Sequence, residues 1–497
     1  MRYTWRMLFV VALIVGVSSR SSIADTNPTP DVIFKNHETA VGYSASDGSA
    51  KPYVVTMKGS WIDFDHKPHD LLVARHQAGA FYREDQTYLG ATSSQGFGDG
   101  GFWFSTPNGN TTNDIGLGRE LRVTWAIVNA EAYDETLHPE SRGVNGDDYV
   151  VRIHPDSGMI ADVYFNRDSW LTDRVIIDPD NFGFRFDFSD YKRQGPVMVA
   201  MTRRRGVTEQ RVLDFETYTV TNFQWDASFD AAAFDAPTAT RYMTFPSDGK
   251  ATIPFDFHPG IVVEGSINGA SGQFLLDPGQ PNMVITSALA AKAQIIPKYA
   301  PMQWIGNVYA NPVVSMSFGD LKLRDVHVQI LDGNYLGYFD GIIGFDVFAQ
   351  AVVDVDFPRR TVTFSDPNSF KPSPTRHGLP LIVSQGVAQV VITANHSAPM
   401  LMEINPAAAG QIALWSAIFH DRVLSDKLGL SNGVIGDLDI GPNSIQHVRV
   451  DPGFIRANVW DSVTGSMGLI EGDLLKNYDV TFDEPAATVY IDPDTQP

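Results

Sequence analysis

The amino-acid sequence predicts a mainly β fold, with an N-terminal antiparallel, half-barrel-like domain followed by two duplicated β-lobes. Short runs in which apolar and polar residues alternate fill residues 25–245, and Gly-, Asn- and Asp-rich turns separate them. In the second half, Asn268-Gly269 joins two apolar runs as a two-residue hairpin turn would. Residues 340–364 are repeated at 467–491. The strand spacing predicts the first domain, and the repeat predicts the pair of lobes.

Residues 25–245 are expected to form the N-terminal domain. Alternating runs at 53–58, 121–127 and 149–153 are each expected to be strands of one antiparallel sheet or half-barrel. A run from Asp65 to Asp70 contains two His residues beside a Pro. With no third cluster to complete a metal site, it is expected to be a solvated loop. No metal and no cofactor are therefore expected.

The repeat divides the C-terminal half into lobe 1, residues 250–368, and lobe 2, residues 379–497. The two 25-residue stretches align without a gap at an offset of 127, and eight positions are identical. The same offset relates Val263 to Val390 and Asn268 to Asn395. Each copy is expected to contain a hairpin, a short helical run (287–294 and 414–423) and a closing strand pair.

Residues 1–24 predict a secretory signal. Arg2 and Arg6 precede an 11-residue apolar core, and a small-residue cleavage site follows at Ser22-Ile23-Ala24. We therefore expect an exported protein, periplasmic or secreted. No later apolar run approaches the ~18 residues that a transmembrane helix needs, so no transmembrane segment is expected.

Charge and cysteine content exclude several classes of function. The formal net charge of −21 makes nucleic acid a poor partner, because phosphate binding needs clustered Lys and Arg. The chain has no Cys, which removes disulfide, thiolate and Cys-metal chemistry. Stability must then come from core burial, which a chain of this length can supply.

The candidate site is centred on Asp277. Three apolar residues, Phe274 to Leu276, form a short strand that ends at this carboxylate. Pro278-Gly279 then predicts a sharp turn, because Pro fixes φ and Gly tolerates the left-handed region. Such a unit holds a carboxylate rigidly at the mouth of a β-structure. The alternative is that Asp277 only caps the turn by bonding to local backbone.

This hairpin and turn resemble the signature of pepsin-like and retropepsin-like aspartic proteases, in which two apolar residues precede Asp-Thr/Ser-Gly. Pro278 stands where that family has Thr or Ser. Ile342-Ile343-Gly344 is similar to the family's apolar-apolar-Gly turn, which passes beneath the catalytic loop. The resemblance implies two lobes about a pseudo-two-fold axis, with one Asp on each. It also implies an inter-lobe cleft for a peptide or protein substrate or ligand.

Hydrolysis in this family needs two carboxylates that share one proton. Lobe 2 lacks an Asp-Thr-Gly sequence. With Asn395 holding the repeat offset, a turn one residue shorter is expected to bring Glu403 opposite Asp277. Leu469-Ile470-Glu471 replaces the apolar-apolar-Gly turn there. The expected catalytic residues are Asp277 and Glu403; Pro278, Gly279 and Gly344 are expected to support the loop, and Gly306 and Tyr309 to lie in a flap.

Three functions stay open at this point. The first is an aspartic-type endopeptidase with an altered Asp277–Glu403 pair. The second is a catalytically inactive pseudoprotease whose cleft binds a peptide or ligand. In the third, the lobes are structural and the N-terminal domain, which resembles the periplasmic lipoprotein-carrier fold in short segments such as Ala161–Asn166, binds a lipid or lipoprotein.

Overall fold

The computed structural model describes residues 27–43, 52–62, 68–113, 116–131, 133–180, 183–207, 213–257, 260–296, 302–304, 307–309, 312–331, 338–384, 386–397, 399–415, 428, 430, 433–452 and 465–493. The signal sequence predicted at residues 1–24 lies outside these residues, as do Gly306 and most of the helical run predicted at 414–423. The mainly β fold is confirmed, with sheets in all three parts of the chain.

The N-terminal domain is one antiparallel sheet of 13 strands among the described residues. Its spatial order runs from β6 back to β1, then from β13 back to β7, so that the first and last strands in the sequence pair in its middle. The strands are β1 (Tyr53–Ile62), β2 (Pro68–Ala78), β3 (Phe81–Tyr88), β4 (Ala91–Gly98), β5 (Gly101–Ser105), β6 (Thr111–Asn113), β7 (Glu140–Asn145), β8 (Asp148–Ile153), β9 (Ala161–Asn166), β10 (Thr172–Ile177), β11 (Phe184–Gln194), β12 (Val197–Val207) and β13 (Leu213–Trp225).

Two helices pack against this sheet, α1 (Pro30–Val41) and α2 (Gly116–Ala130). The strand predicted at residues 121–127 is therefore wrong, because those residues belong to α2. Every second residue from Arg122 to Ala130 is buried, which reproduces the alternation of a strand. The cause is that α2 is covered on two sides, since Val128 packs in one core cluster and Ala126 in another. Burial on two sides removes the single apolar stripe that identifies a surface helix.

Buried charged side chains join α2 to the sheet. Arg75 is fully buried and donates to Glu84 Oε2 at 3.0 Å, while Gln95 donates to Glu84 Oε1 at 2.9 Å. Arg122 on α2 donates in turn to Gln95. The hydrogen bonds between these side chains partly compensate for their removal from water.

Two cavities lie between α2 and the sheet, each of about 30 Å³, and Arg203 lines both. Sites that bury a drug-sized ligand have volumes of about 300–1,000 Å³. Neither cavity has room for an acyl chain as the domain stands. Lipid binding by this domain stays a prediction that these cavities do not favour.

Lobe 1 follows the N-terminal domain and contains thirteen strands and two short helices among its described residues. These are β14 (Met243–Thr244), β15 (Lys250–Phe257), β16 (Ile261–Ile267), β17 (Ala270–Leu276), β18 (Val284–Thr286), α3 (Ser287–Lys292), β19 (Met302–Trp304), β20 (Asn307–Tyr309), β21 (Val313–Phe318), β22 (Leu321–His327), β23 (Gln329–Leu331), β24 (Gly341–Ile343), α4 (Phe345–Phe348), β25 (Val352–Asp356) and β26 (Thr361–Ser365).

Lobe 2 has the same plan with fewer described strands. Its elements are β27 (Gly378–Pro380), β28 (Ile382–Ser384), β29 (Val387–Ala394), β30 (Met400–Asn405), β31 (Ile412–Leu414), β32 (Val434–Ile440), β33 (Asn443–Pro452), β34 (Gly468–Glu471), α5 (Gly472–Leu475), β35 (Tyr478–Asp483) and β36 (Thr488–Pro493).

The two lobes have the same pattern of strand pairing around the hairpin. In lobe 1, β16 and β17 form the predicted hairpin, and both turn residues, Asn268 and Gly269, have positive φ. β17 then pairs in parallel with β24, which also pairs antiparallel with β18. In lobe 2, β29 and β30 form the hairpin, and β34 pairs in parallel with β30 and antiparallel with β31. β24 in lobe 1 and β34 in lobe 2 each lie between two other strands. Because the hairpin strand pairs with this central strand, its last residue has a fixed position in each lobe.

A local two-fold axis relates the lobes where β25 pairs with β35. Val353 pairs with Phe482, and Val355 pairs with Val480. The repeat offset relates Val353 to Val480 and Val355 to Phe482, so the two pairs exchange under the rotation. These residues belong to one apolar core that extends through both lobes. Among the described residues, none of the helices has the length and apolar character that a membrane-spanning helix requires.

Arg376, from the segment between the lobes, lies among three carboxylates of this connecting sheet. Its Nε is 2.5 Å from Asp492, its Nη1 is 3.4 Å from Asp354 and its Nη2 is 3.6 Å from Asp479. Burial and the neighbouring Asp354 raise the pKa of Asp479 to about 7, although Arg376 acts in the opposite direction. A raised carboxyl pKa means that this group favours the folded state at acid pH, and that this contribution is lost as pH rises from about 4 through 7.

We predict that Arg376→Gln destabilises the protein more at pH 8 than at pH 5. Without the guanidinium, the carboxylates of Asp354 and Asp479 repel each other when both are ionised, and protonation relieves that repulsion. Urea unfolding at the two pH values measures the difference. Arg359→Gln is the matched control, because Arg359 pairs with Asp356 on the exposed end of the same sheet. An equal loss of stability at both pH values would contradict the assigned role of Arg376.

Candidate active site

The loop after β17 holds Asp277 at the end of a buried strand. The Asp277 N–H donates to the carbonyl of Ile343 at 3.0 Å, which continues the parallel pairing with β24 by one residue. Asp277 Oδ1 accepts the Gly279 N–H at 2.8 Å, and the Asp277 carbonyl accepts the Gln280 N–H at 3.1 Å. The carboxylate therefore caps its own turn, as the alternative interpretation of the sequence proposed, and the same hydrogen bonds fix its position.

Lobe 2 builds the same loop on a different residue. Asn405 ends β30, its Oδ1 accepts the Ala407 N–H at 3.0 Å, and its carbonyl accepts the Ala408 N–H at 3.3 Å. The Gly472 N–H also donates to the Ala408 carbonyl at 2.9 Å, and the lobe 1 loop has a hydrogen bond at the corresponding position. Asn405-Pro406-Ala407 thus corresponds to Asp277-Pro278-Gly279.

The strand register shows that Asn405, and not Glu403, corresponds to Asp277. In lobe 1, Leu275 pairs with Ile342; in lobe 2, Glu403 pairs with Leu469, which the repeat offset relates to Ile342. Glu403 therefore takes the position of Leu275. The expectation that a shorter turn brings Glu403 opposite Asp277 is wrong in register.

The cause is the length of the second hairpin. Val263 pairs with Phe274 in lobe 1, whereas Val390 pairs with Met402 in lobe 2, so the lobe 2 hairpin is one residue longer rather than one shorter. Asn395 keeps its place at the start of the turn with positive φ, and the extra residue follows it.

The two loops face each other across the lobe boundary. A Cβ built on Gly279 would lie 3.7 Å from Asn405 Nδ2, and one built on Gly260 would lie 2.6 Å from the Ala407 carbonyl oxygen. The Ala388 N–H donates to the Pro278 carbonyl at 3.4 Å. Since Asn405 Oδ1 accepts the Ala407 N–H, the amide nitrogen of Asn405 is the atom directed toward lobe 1.

Glu403 is buried beneath the lobe 2 loop, with 2% of its surface exposed, and lies directly across from Gln389 in the hairpin. The residues at these positions in lobe 1 are Leu275 and Val262, which are apolar. Lobe 2 has therefore exchanged an apolar pair for a carboxyl and an amide. This pair lies two residues before the loop tip, outside the position that corresponds to Asp277.

Glu471 occupies the place that Gly344 has in lobe 1. A Cβ on Gly344 would lie 2.6 Å from the Asn282 carbonyl oxygen, so lobe 1 needs glycine there. In lobe 2 the space comes from Gly410, which has φ of 140° and lies directly against the Glu471 carboxylate. Burial, followed by the charges of Asp451 and Asp473, raises the pKa of Glu471 to about 7.

The other predicted site residues are only partly described. Tyr309 ends β20, which pairs with β19 in a two-stranded hairpin, and Gly306 lies outside the described residues. The flap therefore stays a prediction. Within the described ranges, no group of three or more His, Asp or Glu side chains is arranged to hold a metal ion.

Sequence reasoning missed Asn405 because it fixed the alignment at Asn395 and searched for an acid. The useful signal was the proline. Pro278 and Pro406 each follow the residue at the loop tip, and a small residue follows each proline. Aligning the two prolines would have identified Asn405 from the sequence.

Comparison with known proteins supports the assignment of lobe 1. Residues 263–347 match the family model described as aspartyl protease. An aspartic proteinase from Irpex lacteus aligns with a TM-score of 0.35 and 11% identity over 50% of this chain and 98% of its own. A DUF1329 family protein from Desulfovibrio piger aligns with a TM-score of 0.30 and 12% identity over 42% of this chain and 98% of its own. Comparison with curated proteins gave no match. The chain thus contains an aspartyl protease-like domain.

We predict that Gly410→Ala lowers the free energy of unfolding by about 2 kcal/mol or more, because the new methyl group overlaps the Glu471 carboxylate and the backbone φ is unfavourable. In a Glu471→Ala background the cost should be smaller by about 1 kcal/mol or more, since the overlapping atoms are gone. Urea unfolding of the four proteins measures this coupling. Gly100→Ala, where a Cβ meets nothing within 4 Å, is the control. Additive losses would show that Glu471 and Gly410 do not share this space.

Proposed function

We propose that this protein is a catalytically inactive aspartic protease-like protein that binds an extended peptide between its lobes without hydrolysing it. The observation that carries the proposal is the strand register, which gives Asn405 the position corresponding to Asp277. The site then has one carboxylate where the protease family has two. This proposal replaces the hypothesis of an endopeptidase with an altered Asp277–Glu403 pair.

The chemistry of the amide supports inactivity. Hydrolysis needs an ionised carboxylate that takes a proton from water and a protonated carboxyl that gives one to the substrate carbonyl oxygen. An Asn side chain neither accepts nor releases a proton at the pH values at which carboxyl groups titrate. Asp277 can act as a base, but Asn405 cannot act as the acid.

The same pair is well suited to binding. Asp277 with Asn405 carries one negative charge and offers an N–H donor beside a carboxylate acceptor. A proton-sharing pair of carboxyls has the same charge and the same donor and acceptor. A hydroxyl or a water between the lobes could therefore donate to Asp277 and accept from Asn405. The proposed ligand is a peptide in extended conformation, held without a reaction.

We also propose that the protein acts outside the cytoplasm, since the signal sequence predicted at residues 1–24 supports export. The small volume of the cavities in the N-terminal domain gives little support to lipid binding as its principal function.

We predict that the full-length protein cleaves no protein in an unfolded mixture between pH 3 and 7, yet binds a statine-type peptide. Affinity for an ordinary extended peptide should survive Asp277→Asn within about threefold, because most contacts of such a ligand are with its backbone and side chains. Mass spectrometry of the mixture and calorimetric titration measure the two results. Asp320→Asn, in the exposed turn before β22, is the control. Cleavage that disappears in Asp277→Asn would establish an endopeptidase instead.

A second prediction concerns Asn405→Asp. Two facing carboxyls cannot both ionise easily, so the pKa of one should rise. A raised folded-state pKa gives a contribution that is present at low pH and lost as pH rises, so the variant should be less stable relative to wild type at pH 7 than at pH 4. Urea unfolding at both values tests this. Asn222→Asp, on an exposed strand position, should show no comparable change. The same result for both variants would mean that the two loop tips are not close.

A further inference from the structure

A carboxylate of lobe 1 is buried in the contact with the N-terminal domain. Asp346, on α4, is fully buried and accepts hydrogen bonds from three side chains of the loop between β5 and β6. Thr106 Oγ1 and Asn110 Nδ2 donate to Oδ1 at 2.8 and 2.7 Å, and Asn108 Nδ2 donates to Oδ2 at 2.7 Å. All three donors are at least nine-tenths buried themselves.

In the part of lobe 2 that the structure describes, no such contact is present at the equivalent position. The repeat offset relates Asp346 to Asp473, whose carboxylate is about 40% exposed and lies 2.8 Å from Lys476 Nζ. The N-terminal domain therefore holds the lobe that carries Asp277 through a residue whose copy in the other lobe faces solvent. This asymmetry means that lobe 2 provides an internal comparison.

Asp346 is also connected to the end of the Asp277 loop. The Met283 N–H donates to the Asp346 carboxylate, and the Met283 carbonyl accepts the Gln329 N–H at 2.8 Å. One residue beyond Gly344, the Phe345 N–H donates to the Gln280 carbonyl at 2.8 Å. The loop from Asp277 to Met283 is thus held at both of its ends by the segment that contains Asp346.

Asn108 contacts both sides of this arrangement. Its amide nitrogen donates to Asp346 Oδ2 and, at 3.0 Å, to the His327 carbonyl, while its oxygen accepts the His327 N–H at 2.7 Å. His327 ends β22, two residues before the Gln329 that bonds to Met283. One side chain of the N-terminal domain therefore holds together the two segments between which Met283 is hydrogen-bonded.

The energetic weight of this contact follows from burial. Burial raises the pKa of Asp346, while the hydrogen bonds from Asn108, Asn110, Thr106 and Met283 act in the opposite direction. No Lys or Arg among the described residues forms an ion pair with this carboxylate, so the amide and hydroxyl donors provide its stabilisation. Removing a donor leaves a buried carboxyl oxygen with too few partners, which costs more than the hydrogen bond alone.

We propose that the N-terminal domain positions the Asp277 loop by donating to Asp346, so that the lobe 1 half of the site is ordered only when this domain is docked. Thr106, Asn108 and Asn110 are the positioning residues. The inference concerns the order of the loop and holds whether or not the site binds a peptide.

Hydrogen exchange of the full-length protein tests the proposal. In Asn108→Ala, the backbone amides of residues 277–283 should exchange about tenfold faster than in wild type, the effect of one lost buried hydrogen bond on a local opening. The corresponding amides of lobe 2, residues 405–411, should stay within about twofold. Asp346→Asn should act like Asn108→Ala, whereas Asp473→Asn, its lobe 2 counterpart, should leave both loops unchanged.

A milder variant guards against a general loss of folding. Thr106→Val keeps the shape and removes only the hydroxyl donor, so its effect should have the same direction and be smaller. If the amides of residues 277–283 keep wild-type exchange in Thr106→Val and Asn108→Ala, the proposal is wrong. It is also wrong if the two loops accelerate equally, because the effect would then be global. Statine-peptide affinity, measured separately, reports on the proposed function and does not enter this result.

Discussion

The site depends on the parallel backbone pairing beneath each loop. β17 on β24, and β30 on β34, are held by hydrogen bonds between main-chain atoms, so the strand register decides which side chain stands at the loop tip. A parallel pair tolerates no gradual shift, since one step moves every side chain to the opposite face. The pairing of β30 with β34 places Asn405 at the lobe 2 tip, and Glu403 lies two residues earlier in the strand.

The two lobes keep a common framework while their polar details have diverged. Two of the residue pairs between β25 and β35, Val353–Phe482 and Val355–Val480, are apolar and belong to the shared core. Around the loop, lobe 2 has buried Glu403 where lobe 1 has Leu275, and Glu471 where lobe 1 has Gly344. Each exchange has a local compensation, such as Gly410 beside Glu471. Substitutions of this kind preserve the loop backbone and change what the loop can do.

The N-terminal domain differs from a simple carrier in its interior. Arg75 and Glu84 are buried, and α2 reaches the same network through Arg122. Bringing an apolar chain against such charges is costly, because hydrocarbon provides no hydrogen bonds to them. The described contacts instead connect this domain to lobe 1 through Asp346.

Sequence reasoning gave the correct fold class, because hairpin turns and repeats are local signals. Asn268-Gly269 predicted its hairpin, and the strand at Tyr149–Ile153 lies within β8. It failed where tertiary contacts decide. The helix α2 has the alternating pattern of a strand because two core clusters cover it. The sequence around Asp346 did not indicate that this residue is buried, because its partners lie more than 200 residues away in the chain.

The proline after Asn405 has a consequence for the lifetime of the protein. Asparagine ages to aspartate when the backbone nitrogen of the next residue attacks the side-chain amide and closes a five-membered imide ring. Pro406 has no hydrogen on that nitrogen, so the ring cannot close to a neutral imide. The common imide route from asparagine to aspartate is therefore closed at this loop. The lobe 2 loop therefore keeps its amide longer than it would if the residue after Asn405 carried a backbone N–H.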